Sequence, residues 1–184
     1  MKILYATSNQ NKIESANRNL LPFGIKVDGV KVSNMQEIQT DSIEEISINK
    51  AQQAFKQVSK PLIVSDSGWS IPSLNGFPGP MMSYMNRCFE SVDFLNLMKD
   101  KRDKSIILIE CVTYINEDTV KVFRHEIKGE FLIKEEGKGT SLDKVITFME
   151  DKKSVAKCQN ENILSIDQVK MWNQLGTYLL KNSK

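Results

Sequence analysis

The chain predicts an α/β fold, a mixed sheet flanked by helices, and three observations carry that prediction. Two short apolar runs, Lys2–Ala6 and Pro61–Val64, have the length of buried strands, and each breaks into a polar turn. Between them, Gln10–Leu21 and Ser42–Val58 repeat their apolar residues at helical spacing. Further on, Ile106–Ile115 and Thr119–Phe131 read as long antiparallel strands joined at Asn116-Glu117-Asp118. At 184 residues the whole of 1–184 fits one domain, in two lobes, and is long enough to bury a core.

The elements follow in order. Lys2–Ala6 runs straight into Thr7-Ser8-Asn9, and the helix after it is closed by Pro22 and Gly24. Ile25–Val32 alternates apolar and polar residues, with Asp28-Gly29 as a turn or bulge. Ser42 and Glu45 are spaced as a capping box, and Ile43, Ile46, Ala54, Phe55 and Val58 share one face of the helix they open, with Lys50 near its edge. Pro61–Val64 delivers Asp66 to a strand end, where a Gly- and Pro-rich bend follows at once. Phe89–Met98 reads as a helix, the two long strands build the second lobe, and Gly137-Lys138-Gly139 is a flexible loop. Ser165–Leu180 is the last helix, with Ser165 and Gln168 spaced as another capping box and Val169, Trp172, Leu175 and Leu179 facing inward.

Composition narrows the function classes. Hydrophobic content of 40% and charged content of 26% are those of a soluble globular protein. A net charge of +2, on scattered lysines, argues against nucleic acid as a partner. Cys88, Cys111 and Cys158 are far apart with no CxxC pair, so they read as reduced thiols of a cytoplasmic protein. The single histidine, His125, has no nearby Cys, Ser or second His to complete a catalytic set and reads as structural. Met1-Lys2-Ile3-Leu4 turns polar by Thr7, so no signal peptide is expected, and no apolar run approaches the roughly 18 residues of a membrane span.

The chemistry-bearing residues cluster at the strand ends. A strand, a polar turn and a helix place backbone N–H groups at a helix N-terminus, which favours anions. Thr7 and Asn9 stand in that turn, and Lys12 in the first helical turn can add a full positive charge toward a phosphate chain. Glu37 and Asp66 supply the opposite sign. Two carboxylates beside a phosphate site suit Mg²⁺, which takes one or two carboxylates together with phosphate oxygens and waters, while a free carboxylate can orient or deprotonate water. The plain alternative is that both acids are solvated surface residues.

Order and spacing resemble the inosine triphosphate pyrophosphatase family. The matching segments are Thr7-Ser8-Asn9-Gln10-Asn11-Lys12, Glu37-Ile38-Gln39, Lys50-Ala51, Ser65-Asp66-Ser67-Gly68 and Leu74-Asn75-Gly76-Phe77-Pro78-Gly79. The resemblance implies a two-lobed fold with a central active-site cleft, usually a homodimer. It also implies Mg²⁺-dependent hydrolysis of nucleoside triphosphates to the monophosphate and pyrophosphate, with deaminated purines such as ITP, dITP and XTP as substrates. By position, Asn9, Lys12 and Lys50 would hold phosphates and Glu37 the metal. Asp66 would be the metal-linked acid that activates water, forming the candidate catalytic pair with Lys12, and Ser67 and Gly68 would line the phosphate path.

This chain also departs from the family pattern. The acid that usually precedes the key Asp is Ser65, which removes one negative charge. A basic residue common after Pro-Gly-Pro is Ser83. The Gly-Phe-Gly-Tyr-Asp-like loop, whose aromatic stacks on the purine, reads Gly139-Thr140-Ser141-Leu142-Asp143 and keeps only the Asp. The Ser-His-Arg tripeptide that donates to the purine 6-oxo group reads Ser165-Ile166-Asp167, with Glu161 upstream where a lysine is usual. A site built around such hydrogen bonds discriminates by about four to five powers of ten, and stacking adds about 1–3 kcal/mol per base. Base preference is therefore expected to differ from ITP. Asp143, Ser165 and Asp167 remain the candidate base-side residues, although Ile166 and Asp167 could equally just fill the first turn of a capped helix. The competing class is a nucleotide-binding protein of the same fold with little or no catalysis.

Overall fold

The computed structural model describes residues 1–163 and 169–182. In chain order these form β1 (Lys2–Ala6), α1 (Gln10–Leu20), β2 (Lys26–Val30), α2 (Ile43–Val58), β3 (Leu62–Ser70), β4 (Pro78–Gly79), α3 (Met82–Cys88), α4 (Ser91–Met98), β5 (Ser105–Ile115), β6 (Val120–Phe131), β7 (Ile146–Thr147), α5 (Val155–Asn160) and α6 (Val169–Lys181). Hydrogen-bonded strands follow the order β2-β1-β3-β5-β6-β7, with β4 beside β3. β1 runs parallel to both β2 and β3, whereas β4 and β7 pair antiparallel to β3 and β6. The α/β class and mixed sheet read from the sequence are both present.

The chain divides into two compact units. The first combines Met1–Asp66, Glu110–His125 and helix α6; the second begins with Ser67–Ile109 and resumes at Glu126. In the first unit, β1 and β3 are covered by helices on both faces, which is why they read as apolar runs and not as alternating strands. Ile3, Tyr5 and Ile63 pack with Ala16 and Leu20 of α1 and Trp172, Leu175 and Leu179 of α6. On the other face, Ala6, Leu62 and Val64 pack with Ala51 and Ala54 of α2. Asn17 then ties α1 to the outer strand: its Nδ2 donates to Val27 O at 2.8 Å and its Oδ1 accepts the Val27 N–H at 2.9 Å. The second unit has its own core, built on Ile71, Phe94, Ile106, Leu142 and Ile146.

Several expectations need correction. β3 does not stop at Val64. Trp69 and Ser70 pair with Gly79 and Pro78, so the strand continues through Asp66 and the acid sits in mid-strand. Asp28-Gly29 is neither turn nor bulge but lies within β2, in parallel register with Leu4 and Tyr5 of β1. The long strands β5 and β6, expected to build the second lobe, are divided between the units, because Glu110–His125 belongs to the first. Ser42 caps α2 through the Glu45 N–H, but the reciprocal half of the box is replaced: Thr40 Oγ1 accepts from Ser42 N and donates to Glu45 Oε2. Helix α3 has no side-chain cap to announce it and is held by burial of Met82 and Met85. The Ser165–Gln168 box lies outside the described residues.

The loop at Gly137 is pinned and not flexible. Lys138 N donates to Asn160 Oδ1 at 2.8 Å, and Asn160 Nδ2 donates back to Lys138 O at 3.1 Å. Gly137 has φ +78°, and a Cβ there would stand 2.6 Å from Lys157 N. Gly137→Ala is expected to cost about 1–3 kcal/mol through left-handed strain and this clash, read as a lowered midpoint in thermal unfolding. An unchanged midpoint would refute the assignment.

Candidate active site

The first turn is built by its own side chains. Thr7 Oγ1 accepts the Asn9 N–H at 3.1 Å, and Asn9 Oδ1 accepts the Lys12 N–H at 3.3 Å, which caps α1. Lys12 thus projects from the positive end of an eleven-residue helix. Its Nζ donates to Ser65 Oγ at 3.4 Å, and Ser65 Oγ shares a short hydrogen bond with the Tyr5 hydroxyl. Although Lys12 is an exposed residue overall, its ammonium is crowded enough that desolvation lowers its pKa, while the charges of Asp66 and Glu110 oppose that shift. Burial pushes the Tyr5 hydroxyl up to about 12. The Ser65 hydrogen bond works against this shift, whereas the charges of Asp66 and Glu110 add to it.

The acids meet on the other side of β3. Side chains alternate along a strand, so Ser65 follows Ile63 toward α1 while Asp66 follows Leu62 and Val64 toward α2. There the Lys50 Nζ stands 2.5 Å from Asp66 Oδ2 and 2.5 Å from Glu37 Oε2. The side chains of Lys50 and Asp66 are only 19% and 18% exposed, against 55% for Glu37. Desolvation would lower the Lys50 pKa, but its hydrogen bonds and charge interactions with Asp66 and Glu37 outweigh that and raise it.

Glu37 lies in a segment without regular structure, and two glutamines one helical turn apart on α2 strap it down. Gln53 pairs with the Gln36 backbone, accepting its N–H at 2.8 Å and donating to its carbonyl at 2.6 Å. Gln57 does the same for Ser33, at 3.3 and 2.9 Å.

Among the candidates, Thr7, Asn9, Lys12, Glu37, Lys50 and Asp66 belong to the first unit. Glu37, Lys50 and Asp66 are in direct contact there, and Lys12 reaches the residue next to Asp66. Ser67, Gly68 and Asp143 fall in the second unit; Ser67 and Gly68 continue β3. Ser165 and Asp167 lie outside the described residues. Sequence reasoning missed Tyr5 and Glu110. The signal for Glu110 was available, because it is the only charged residue in the strand Ser105–Ile115.

Glu37 and Asp66 offer carboxylate oxygens, the donors that Mg²⁺ takes. Among the described residues no three of His, Cys, Asp and Glu are grouped to hold a metal ion by themselves. Two converging carboxylates, Glu37 and Asp66, already share a cation in the Lys50 ammonium. That suits an ion completing its shell with phosphate oxygens and water.

The model of the Ham1 family matches residues 3–168. The chain belongs to the Ham1 family. A dITP/XTP pyrophosphatase of Methanopyrus kandleri is 36% identical over 140 residues, covering 76% of this chain and 73% of that protein. Another, from Hyperthermus butylicus, is 29% identical over 160 residues, covering 86% and 84%. The Ham1 protein of Staphylococcus aureus superposes with a TM-score of 0.80 at 24% identity, over 100% of both chains, and so has the same fold. Membership agrees with the inosine triphosphate pyrophosphatase resemblance carried by the segments from Thr7 to Gly79.

In this Ham1 chain the segment expected to carry a stacking aromatic runs from an exposed Thr140 into a buried Ser141 and Leu142. Leu142 is in the core of the second unit. Ser141 accepts the Ser91 hydroxyl at its carbonyl at 2.9 Å and donates its own hydroxyl to Asn86 Oδ1 at 3.1 Å. Asp143 is held by Thr140, whose Oγ1 accepts the Asp143 N–H at 3.3 Å. Burial pushes its carboxyl up, with the Thr140 contact opposing. Among the described residues of this Ham1 chain, no helix is long and apolar enough to cross a membrane.

Proposed function

We propose that this Ham1 protein is a Mg²⁺-dependent nucleoside triphosphate pyrophosphatase that hydrolyses an NTP or dNTP to the monophosphate and pyrophosphate. It is a hydrolase of phosphoanhydride bonds, a reaction class supported by the name its relatives carry. The observation that carries the reading is the Lys50 ammonium bridging Glu37 and Asp66, one strand face away from Lys12 at the α1 N-terminus. That arrangement offers positive groups to a phosphate chain and carboxylates to its counter-ion.

Glu37 and Asp66 would hold the Mg²⁺, which when bound offsets negative charge on the phosphates. Lys12 and the helix end bind phosphate oxygens. Lys50, released from one carboxylate, follows the charge to the phosphates. Asp66 orients a water and takes its proton as the water oxygen bonds to phosphorus, and the bond joining the α and β phosphates breaks with pyrophosphate leaving.

Base choice differs from the dITP and XTP of the relatives' name in this reading. Its support is the segment Thr140-Ser141-Leu142-Asp143, which offers no ring to stack on and buries its leucine. A homodimer in the cytoplasm completes the proposal. Three free thiols support the compartment, and the family resemblance supports the dimer.

The test is pyrophosphate release with Mg²⁺ across ribo- and deoxynucleoside triphosphates. Turnover is expected, with an order of bases that does not place dITP and XTP first. Binding of nucleotide without turnover of any of them would favour the alternative, a binding protein of the same fold.

A further inference from the structure

We infer that Tyr5, a core residue that no motif singles out, is a positioning residue for triphosphate binding: through Ser65 it holds the Lys12 ammonium where phosphate oxygens reach it. This rests on the proposed nucleotide reading of the site.

The sheet sets the arrangement. Tyr5 stands opposite Ile63 in the parallel register of β1 and β3, so Ser65, two residues further along β3, lies on the same face. The Tyr5 ring is fixed there: it is 1% exposed and packs edge-on against Trp172 of α6, with ring centroids 6.3 Å apart. A buried tyrosine needs a partner for its hydroxyl, and Ser65 Oγ is that partner. Ser65 Oγ in turn accepts from Lys12 Nζ at 3.4 Å. Two hydrogen bonds thus connect a ring locked in the core to a lysine that reaches solvent.

A carboxylate on the same face agrees with this role. On β5, Thr113 faces α2, where its hydroxyl meets Ser47 Oγ at 2.7 Å, whereas Val112 and Tyr114 pack in the α1-side core. Glu110 shares the parity of Val112 and Tyr114 and therefore faces α1. Its charge acts on both Tyr5 and Lys12 and favours the neutral phenol and the charged ammonium. Both ends of the hydrogen-bonded chain therefore keep their protons.

The effect on binding follows from what a held lysine can do. An ammonium has three donors; Ser65 takes one, which leaves two for phosphate oxygens. A lysine stem is long and flexible, and an ammonium already held beside the α1 N-terminus loses less freedom when a phosphate chain arrives.

The test is calorimetric titration of the metal-free full chain with a panel of non-hydrolysable α,β-methylene nucleoside triphosphates. The proteins compared are the parent, Tyr5→Phe, Ser65→Ala, Lys12→Met, and each of the first two variants in the Lys12→Met background. Tyr5→Phe removes only the hydroxyl and is expected to weaken the best-bound analogue about threefold to tenfold, the order of one hydrogen bond. Ser65→Ala breaks the same chain at a half-buried position, is expected to give a loss of similar size, and keeps the test open should Tyr5→Phe not fold. With Lys12→Met in place, either substitution is expected to change affinity by less than about twofold, because its effect runs through the ammonium. Parent-like affinity in either single variant would overturn the inference, and so would an equal loss with and without Lys12, which a purely structural role of the tyrosine predicts. Both results would leave the nucleotide reading intact. Failure of the parent to bind any analogue would overturn that reading as well.

Discussion

Asp66→Asn is expected to lower pyrophosphate release by about two to four powers of ten, the range a positioned general base contributes. The substitution keeps shape and removes charge. Asp66 lies in mid-strand with its side chain 18% exposed, so its position is set by β3 and by Lys50 and not by solvent. Asparagine could still accept from Lys50 but could neither take a proton from water nor balance a dication. Nucleotide affinity measured without metal should change little, since Lys12 and the α1 N-terminus are untouched. Retention of more than a tenth of the parent turnover would remove Asp66 from the chemistry.

Lys50→Met is expected to act in opposite directions on the two ligands. The ammonium now bridges Asp66 and Glu37 at 2.5 Å each. Without it two carboxylates lose the ammonium they share, which costs about 1–3 kcal/mol of stability by removing a charged partner from a part-buried group. The same vacancy removes a competitor for a divalent cation. Metal affinity in the absence of nucleotide should therefore rise roughly tenfold, while turnover falls about a hundredfold because a cation aimed at the phosphates is gone. Calorimetric titration with Mn²⁺, set beside turnover, separates the two effects. Weaker metal binding in the variant would show that Lys50 does not occupy the cation's place.

Local chemistry explains what was legible in the sequence. β1, the start of α1 and the α2 cap at Ser42 were all readable, because each is decided by residues within a turn of one another. Strand β3 was cut short because its extension depends on a partner, Pro78-Gly79, that no local pattern announces. The strap on Glu37 was invisible for the same reason: Gln53 and Gln57 look like ordinary polar positions on a helix until the facing backbone is in place. Motif order brought Glu37, Lys50 and Asp66 forward together. Glu110 stands outside any motif, and only the parity of its strand reveals which way it faces.

The change of side at Ser65 and Asp66 has a consequence for how the site can vary. Two consecutive residues serve separate compartments, one shared with Tyr5 and Lys12 and the other with Glu37 and Lys50. The charge of Asp66 still acts on Tyr5 and Lys12, the partners of Ser65, so substitutions at these two adjacent positions should combine non-additively where they change charge. A deletion of one residue just before Ser65 would be far harsher than any point change, because it would exchange the hydroxyl and the acid between compartments in a single step.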